Sequence, residues 1–132
     1  MEVKKRILIV EDNPDVIEMI RMMLEGLGYA VNMARNGREG VEMASQERPD
    51  LIVMDILMPI MDGFEAISRI KKNPRTRTIP ILAATALPGD RERSLANGCD
   101  GYVNKPFTRG QLKAAIDALF SKQESLRLSR LG

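Results

Sequence analysis

Short, continuously apolar runs alternate along this chain with longer stretches in which apolar residues recur every three or four positions. Ile7-Leu8-Ile9-Val10 and Leu51-Ile52-Val53-Met54 are the clearest runs, and they read as strands buried on both faces. With weaker runs they predict strands over 6–10, 30–34, 51–54, 79–84 and 101–103. The intervening periodic stretches predict helices over 14–27, 37–47, 63–73, 88–97 and from 109 to about 121. Strict alternation of strand and helix is the pattern of parallel βα units. The expected fold class is α/β, a doubly wound five-stranded parallel sheet with helices on both faces.

Local chemistry supports the helix starts. Asn13 can cap the first helix, with Pro14 at the first helical position, where its missing N–H is not needed. Asn36 with Glu39, Asp62 with Glu65 and Thr108 with Gln111 have capping-box spacing. Phe107 and Leu112 flank the last start as a hydrophobic staple. Gly28 and Gly98 stand where left-handed caps end helices. Val16, Ile20, Met23, Leu24 and Leu27 form the apolar stripe of the first helix; Leu112, Ala115, Ile116, Leu119 and Phe120 form that of the last. The fourth helix has little apolar surface, so it is expected to shift at low cost.

Composition narrows the chemistry. A chain of 132 residues suits one domain with one core. One cysteine, Cys99, allows no internal disulfide, and the absence of histidine removes serine–histidine catalysis and most zinc patterns. Cys99 is expected to be a small core filler. A net charge of +2 and few aromatics give no reason to expect nucleic acid; the basic run Arg69, Lys71, Lys72, Arg75, Arg77 reads as a solvated helix end. No apolar stretch nears the roughly 20 residues that span a bilayer, and Met1–Arg6 lacks the form of a signal peptide. A cytoplasmic protein without membrane contact is expected.

The candidate chemistry lies at strand ends. Glu11 and Asp12 follow the first strand and Asp55 the third; Thr85 follows the fourth, and Lys105 comes shortly after the fifth. Ligands of doubly wound sheets bind beyond the carboxyl ends of the strands, where the strand order reverses. Three acids there attract a hard divalent cation and can offer a carboxylate nucleophile. A hydroxyl and an ammonium add partners for anionic oxygens, and the set describes phosphoryl transfer.

With Glu11-Asp12, Asp55 in Met-Asp-Ile-Leu-Met-Pro-Ile-Met-Asp-Gly, Ala84-Thr85-Ala86 and Lys105-Pro106-Phe107 in this order, the chain resembles the receiver domain of bacterial two-component response regulators, from about residue 5 to 120. The resemblance implies the flavodoxin-like strand order 2-1-3-4-5, a receiver over 1–122 and a tail over 123–132 expected to fray. It implies that Asp55 accepts a phosphoryl group from a histidine kinase or histidine phosphotransfer protein. Asp12, Asp55 and the backbone carbonyl of Leu57 would ligate Mg²⁺ (or Mn²⁺), with Glu11 acting through water. Thr85 and Lys105 would bind phosphoryl oxygens, and the Lys105–Pro106 bond would be cis. Tyr102, which from the residues alone reads equally as a half-buried core tyrosine, falls at the family's aromatic switch position. The responding face would be the fourth helix, fifth strand and fifth helix, docking a downstream protein, with the chain a monomer or a weak phosphorylation-dependent dimer. Leu57 and Leu87 fall where the family controls water access to the phosphoryl group, which implies slow loss.

Rival readings lack their residues. A haloacid dehalogenase-type phosphatase needs a second acid two residues past its nucleophile, and here that residue is Leu57. No Gly-x-Gly-x-x-Gly follows the first strand, so a dinucleotide site fails. A phosphorylation-independent docking module is the remaining alternative. The stretch 106–132 holds no output domain, so a stand-alone regulator or a receiver cut from a longer chain is expected, Met1 favouring the former.

Overall fold

Aliphatic runs too apolar to face water on either side form the centre of the molecule. In the computed structural model, which describes residues 3–58, 60–87 and 89–131, they build the three central members of a sheet of five parallel strands: β1 (Arg6–Val10), β2 (Ala30–Ala34), β3 (Leu51–Asp55), β4 (Ile81–Thr85) and β5 (Gly101–Asn104), the central three being β1, β3 and β4. The helices are α1 (Pro14–Gly26), α2 (Gly37–Glu47), α3 (Gly63–Lys72), α4 (Asp90–Ala96) and α5 (Arg109–Leu131). The sheet order is β2-β1-β3-β4-β5, as the resemblance implied. The chain leaves β1 toward β2 on one side, and β3 lies on the other, so a crevice opens between the loops that follow β1 and β3.

Side chains of period two sort into two cores. Leu8, Val10, Ile52, Met54, Ile81 and Ala83 pack with Ala44 of α2 and Phe64, Ala66, Ile67 and Ile70 of α3. On the other face Ile7, Ile9, Leu51, Val53, Leu82 and Ala84 meet Ile20 and Leu24 of α1 and Leu112, Ile116 and Leu119 of α5. The α1 stripe also includes buried Ile17, which the expected stripe omitted, while Val16 and Met23 flank it half-buried.

Three strand ends differ from the sequence expectation. Asp55 and Thr85 are the last residues of β3 and β4 rather than the first beyond them, and Asn104 extends β5. The polar residues stay in the ladder because their backbones still pair: Asp55 lies opposite Ala84, and Thr85 opposite Asn104. Strand β4 begins at Ile81, not residue 79. The Ile79 N–H turns back to the Thr76 carbonyl, and Pro80 has no N–H to give the ladder.

Helix ends follow their capping chemistry. The Asn13 side chain accepts from the N–H groups of Asp15 and Val16, and Thr108 and Gln111 close their capping box in both directions at 2.8 and 3.1 Å. Helix α4 starts at Asp90, with Gly89 before it at φ 88° and no side-chain cap; the expected start at Pro88 lies outside the described residues, as does Pro59. Its only buried residue among those described is Ser94, so the expected thin anchoring is present. Helix α5 runs to Leu131, past the expected end near residue 121. Lys, Gln, Glu, Arg and Leu are good helix formers, and Glu124 pairs with Arg127 one turn away at 2.7 Å. Those residues are exposed throughout and add nothing to the core.

Candidate functional site

The carboxyl ends of β1 and β3 place the acids. The Glu11 N–H still donates to the Ala34 carbonyl of β2, which keeps the residue in the sheet and its side chain buried. One of its carboxylate oxygens, Oε2, accepts the backbone N–H groups of Asp12 and Asn13 at 3.0 and 3.2 Å. Asp12, next along the turn, is exposed. Asp55 is buried at the end of β3. Each of Glu11, Asp12 and Asp55 offers an oxygen, and these oxygens lie within 4.8 Å of one another.

Lys105 enters this cluster from the loop after β5. Its backbone N–H donates to the Thr85 carbonyl at 2.9 Å, and the Lys105–Pro106 bond is cis, as the resemblance implied. The ammonium donates to Glu11 Oε1 at 2.6 Å and to Asp55 Oδ1 at 3.0 Å. Charge-assisted bonds of this kind are short and strong. Three carboxylates facing one ammonium still leave an excess of negative charge.

Burial and these charges together set the proton affinities of the acids. Burial pushes the Asp55 carboxyl up to about 6, although Lys105 pulls it down; the nearby Glu11 charge adds to the rise. The Asp12 carboxyl, though exposed, is also raised, by partial desolvation beside the cluster and then by Glu11. Glu11 ends below its ordinary value because Lys105 and the Asn13 N–H outweigh its burial. The Lys105 ammonium is held above its usual range: burial works against it, and its two carboxylate partners win. The ligand atoms that Glu11, Asp12 and Asp55 offer are carboxylate oxygens, and the carboxyls of Asp12 and Asp55 are raised toward neutrality. Such a set fits a hard divalent ion such as Mg²⁺.

Helix α3 fixes the loop behind Asp55. The Gly63 N–H donates to the Ile56 carbonyl at 2.8 Å. A Cβ on Gly63 would lie 2.4 Å from the Asp55 carbonyl oxygen and 2.6 Å from Ile56 Cα, so only glycine allows this approach.

Thr85 does not join the cluster. It is buried at the end of β4, and its hydroxyl donates to Asp90 Oδ2 at 2.7 Å instead of turning toward the acids. Tyr102 is half-buried against the α3-side core, and burial, then Asp90 and Glu92, raises its hydroxyl pKa. Leu57 and Leu87 present exposed side chains, 57% and 46%. The structure thus brings Glu11, Asp12, Asp55 and Lys105 together and leaves Thr85 and Tyr102 one step away. The sequence reading missed Asp90 as the partner of Thr85, Asn13 as a backbone donor to Glu11, and Gly63.

The family profile described as the response regulator receiver domain matches residues 7–117. The chain belongs to the response regulator receiver family. The polar-differentiation response regulator DivK of Brucella anthropi is 40% identical to this receiver over 106 residues, 79% of this chain and 86% of DivK. The dual master transcriptional regulator RpaA of Synechocystis is 36% identical over 123 residues, covering 92% of this chain but only 51% of RpaA, so the receiver spans about half of that relative. Among solved structures, the receiver domain of the sensor histidine kinase PA1611 from Pseudomonas aeruginosa superposes with a TM-score of 0.80 at 40% identity, covering 85% of this chain and 93% of that one. That structure has a magnesium ion coordinated in its active-site cleft.

Two features beside the receiver site are structural. Burial pushes the Cys99 thiol up to about 11, so it carries no thiolate near neutral pH and acts as core filler. In the basic run, Arg69 pairs with Glu65 at 2.9 Å and Lys71 with Asp100 at 2.7 Å. Among the described residues no helix is long and apolar enough to cross a membrane.

Proposed function

We propose that Asp55 is the phosphoacceptor of this receiver and that Asp12, Asp55 and the Leu57 carbonyl hold Mg²⁺ beside it, with Mn²⁺ suited to the same oxygen donors. The observation that carries the reading is the Lys105 ammonium shared between Glu11 and Asp55, with Asp12 alongside. Both Glu11 oxygens are engaged, one by Lys105 and one by backbone N–H groups, which favours contact with the cation through water. When bound, the cation neutralises the acids and draws in the phosphoryl oxygens.

An Asp55 oxygen attacks the phosphorus of a phosphohistidine on a kinase or phosphotransfer protein. The P–O bond forms as the P–N bond breaks, and the imidazole leaves with the bonding pair. Lys105 exchanges a carboxylate oxygen for a phosphoryl oxygen, and Thr85 turns its hydroxyl to another. Leu57 offers no acid for a leaving alkoxide, so the receiver passes on a signal and is not a turnover enzyme. Thr85 and Tyr102 carry the change to the face formed by α4, β5 and α5, where a downstream protein docks. The thin anchoring of α4 supports that choice. The reading goes with a cytoplasmic protein, monomeric or weakly dimeric when phosphorylated, without nucleic acid or membrane.

Beryllofluoride with Mg²⁺, a phosphoryl mimic, tests the switch. Hydrogen exchange should change mainly between Thr85 and Lys105, with α1 and α2 unmoved. No response at all would leave the phosphorylation-independent docking module as the better description, and a uniform response would contradict a local switch.

The acyl phosphate should also be long-lived. Hydrolysis needs a water held in line with phosphorus, and the exposed side chains of Leu57 and Leu87 cannot hydrogen-bond one. Phosphate release after donor removal is expected to be slower in the wild type than in Leu57→Asn/Leu87→Glu. An equal or faster wild-type rate would show that the leucines do not protect the phosphoaspartate.

A further inference from the structure

We propose that Asp90 is a positioning residue of the receiver: its carboxylate holds the Thr85 hydroxyl away from the acid cluster, and Thr85 reaches a phosphoryl oxygen only when that bond is given up. The inference rests on the reading of Asp55 as phosphoacceptor and deepens it.

A threonine hydroxyl has one proton to donate. Here it is committed to Asp90 Oδ2 at 2.7 Å, a short bond to a charged acceptor. The hydroxyl oxygen also accepts the Leu87 N–H at 3.3 Å, which fixes its direction from the other side. Thr85 is 1% exposed, so water cannot replace Asp90 as acceptor while the side chain keeps this direction. Any new acceptor on Asp55 must therefore outcompete Asp90.

The turn before α4 is shaped for this contact. Gly89 has φ 88°, in the left-handed region, and a Cβ there would meet nothing within 4 Å. The glycine thus answers a backbone requirement, not a shortage of space, and the reversal returns Asp90 to the end of β4. Asp90 is half-buried, so once released its carboxylate can be hydrated and is not left orphaned. It opens a helix with one buried residue, and breaking the Thr85 bond removes one of the ties between α4 and the sheet. The Asp90 charge also raises the Tyr102 hydroxyl pKa, second only to burial. One carboxylate thus bears on both residues of the proposed relay.

Beryllofluoride affinity in the presence of Mg²⁺, measured by calorimetry, tests the inference. Asp90→Ala should bind the mimic roughly tenfold more tightly than wild type, because the charged competitor for the hydroxyl is gone. Asp90→Asn keeps shape and a weaker neutral acceptor, and should tighten binding by less in the same direction. In a Thr85→Ala background the Asp90→Ala effect should vanish, a result that loosening of α4 or simple removal of charge would not produce. Unchanged or weaker binding by both Asp90 variants overturns the inference, as does equal tightening with and without Thr85. If the wild type itself binds no beryllofluoride, the phosphoacceptor reading falls and this inference with it; if the wild type binds and the variants do not tighten, only this inference falls.

Discussion

Asp55→Asn is expected to abolish phosphorylation by acetyl phosphate, where the wild type gains the mass of one phosphate in the presence of Mg²⁺. Asparagine keeps the shape and an acceptor oxygen for Lys105, which donates to Asp55 at 3.0 Å, so the fold should persist while the nucleophile is lost. The same variant should be more stable than wild type without added Mg²⁺. Asp55 has its folded pKa raised to about 6 by burial, so between about pH 4 and 6 the native state holds a proton that the unfolded chain has already released. For a raised carboxyl the penalty is absent below its unfolded value of about 4, grows as pH rises, and is full above the folded value. The gain in melting temperature for Asp55→Asn should therefore be present at pH 7.5 and shrink toward pH 4. Intact mass and thermal melts at the two pH values check both parts. Undiminished labelling of the variant, or a gain larger at low pH, would contradict the assignment.

Asp12→Ala should weaken Mg²⁺ binding by at least about tenfold, since it deletes one of a small number of charged oxygen ligands. Asp12 is exposed and has no part in the Lys105 bridge, so its removal leaves the core and the Glu11–Lys105–Asp55 chain of bonds in place. Mg²⁺ at a hundred times its dissociation constant should stabilise the wild type by about 2.7 kcal/mol and the variant far less at the same concentration. Titration followed by NMR should move the amides of residues 11–13 and 55–57 in the wild type. Unchanged affinity together with unchanged phosphorylation would mean that the cation lies elsewhere.

The fold was legible because its signals are local and repeated. Apolar runs such as Ile7–Val10 and Leu51–Met54 are too short for ordinary helices and read as strands buried on both faces, and side-chain caps such as Asn13 and Thr108 marked helix starts closely. Errors fell where the deciding partner is distant or is a missing donor. Pro80 lacks the N–H that would have let β4 begin at 79, and Thr85 stays in β4 because Asn104 pairs with it from β5. The end of α5 was misjudged because apolar periodicity stops near Phe120 while helix propensity continues to Leu131.

At the site, residue types at strand ends were enough to gather Glu11, Asp12, Asp55 and Lys105. Side-chain direction was not legible. Nothing in Thr85-Ala86-Leu87-Pro88-Gly89-Asp90 states that the threonine hydroxyl turns toward the aspartate five residues later; that follows from the left-handed Gly89 and the depth of Thr85. Gly63 was read only as a helix start, since its close approach to the Asp55 carbonyl depends on how α3 packs.

Borohydride reduction of the phosphorylated wild-type chain, followed by peptide mass spectrometry, identifies the residue that carries the phosphoryl group. Reduction converts an acyl phosphate to an alcohol and leaves free carboxylates untouched, so it marks the residue that carried the phosphoryl group. Homoserine is expected at position 55 alone, formed only when Mg²⁺ and phosphodonor were both present. Homoserine at position 12 or elsewhere, or none from a chain whose mass had risen by one phosphate, would contradict it.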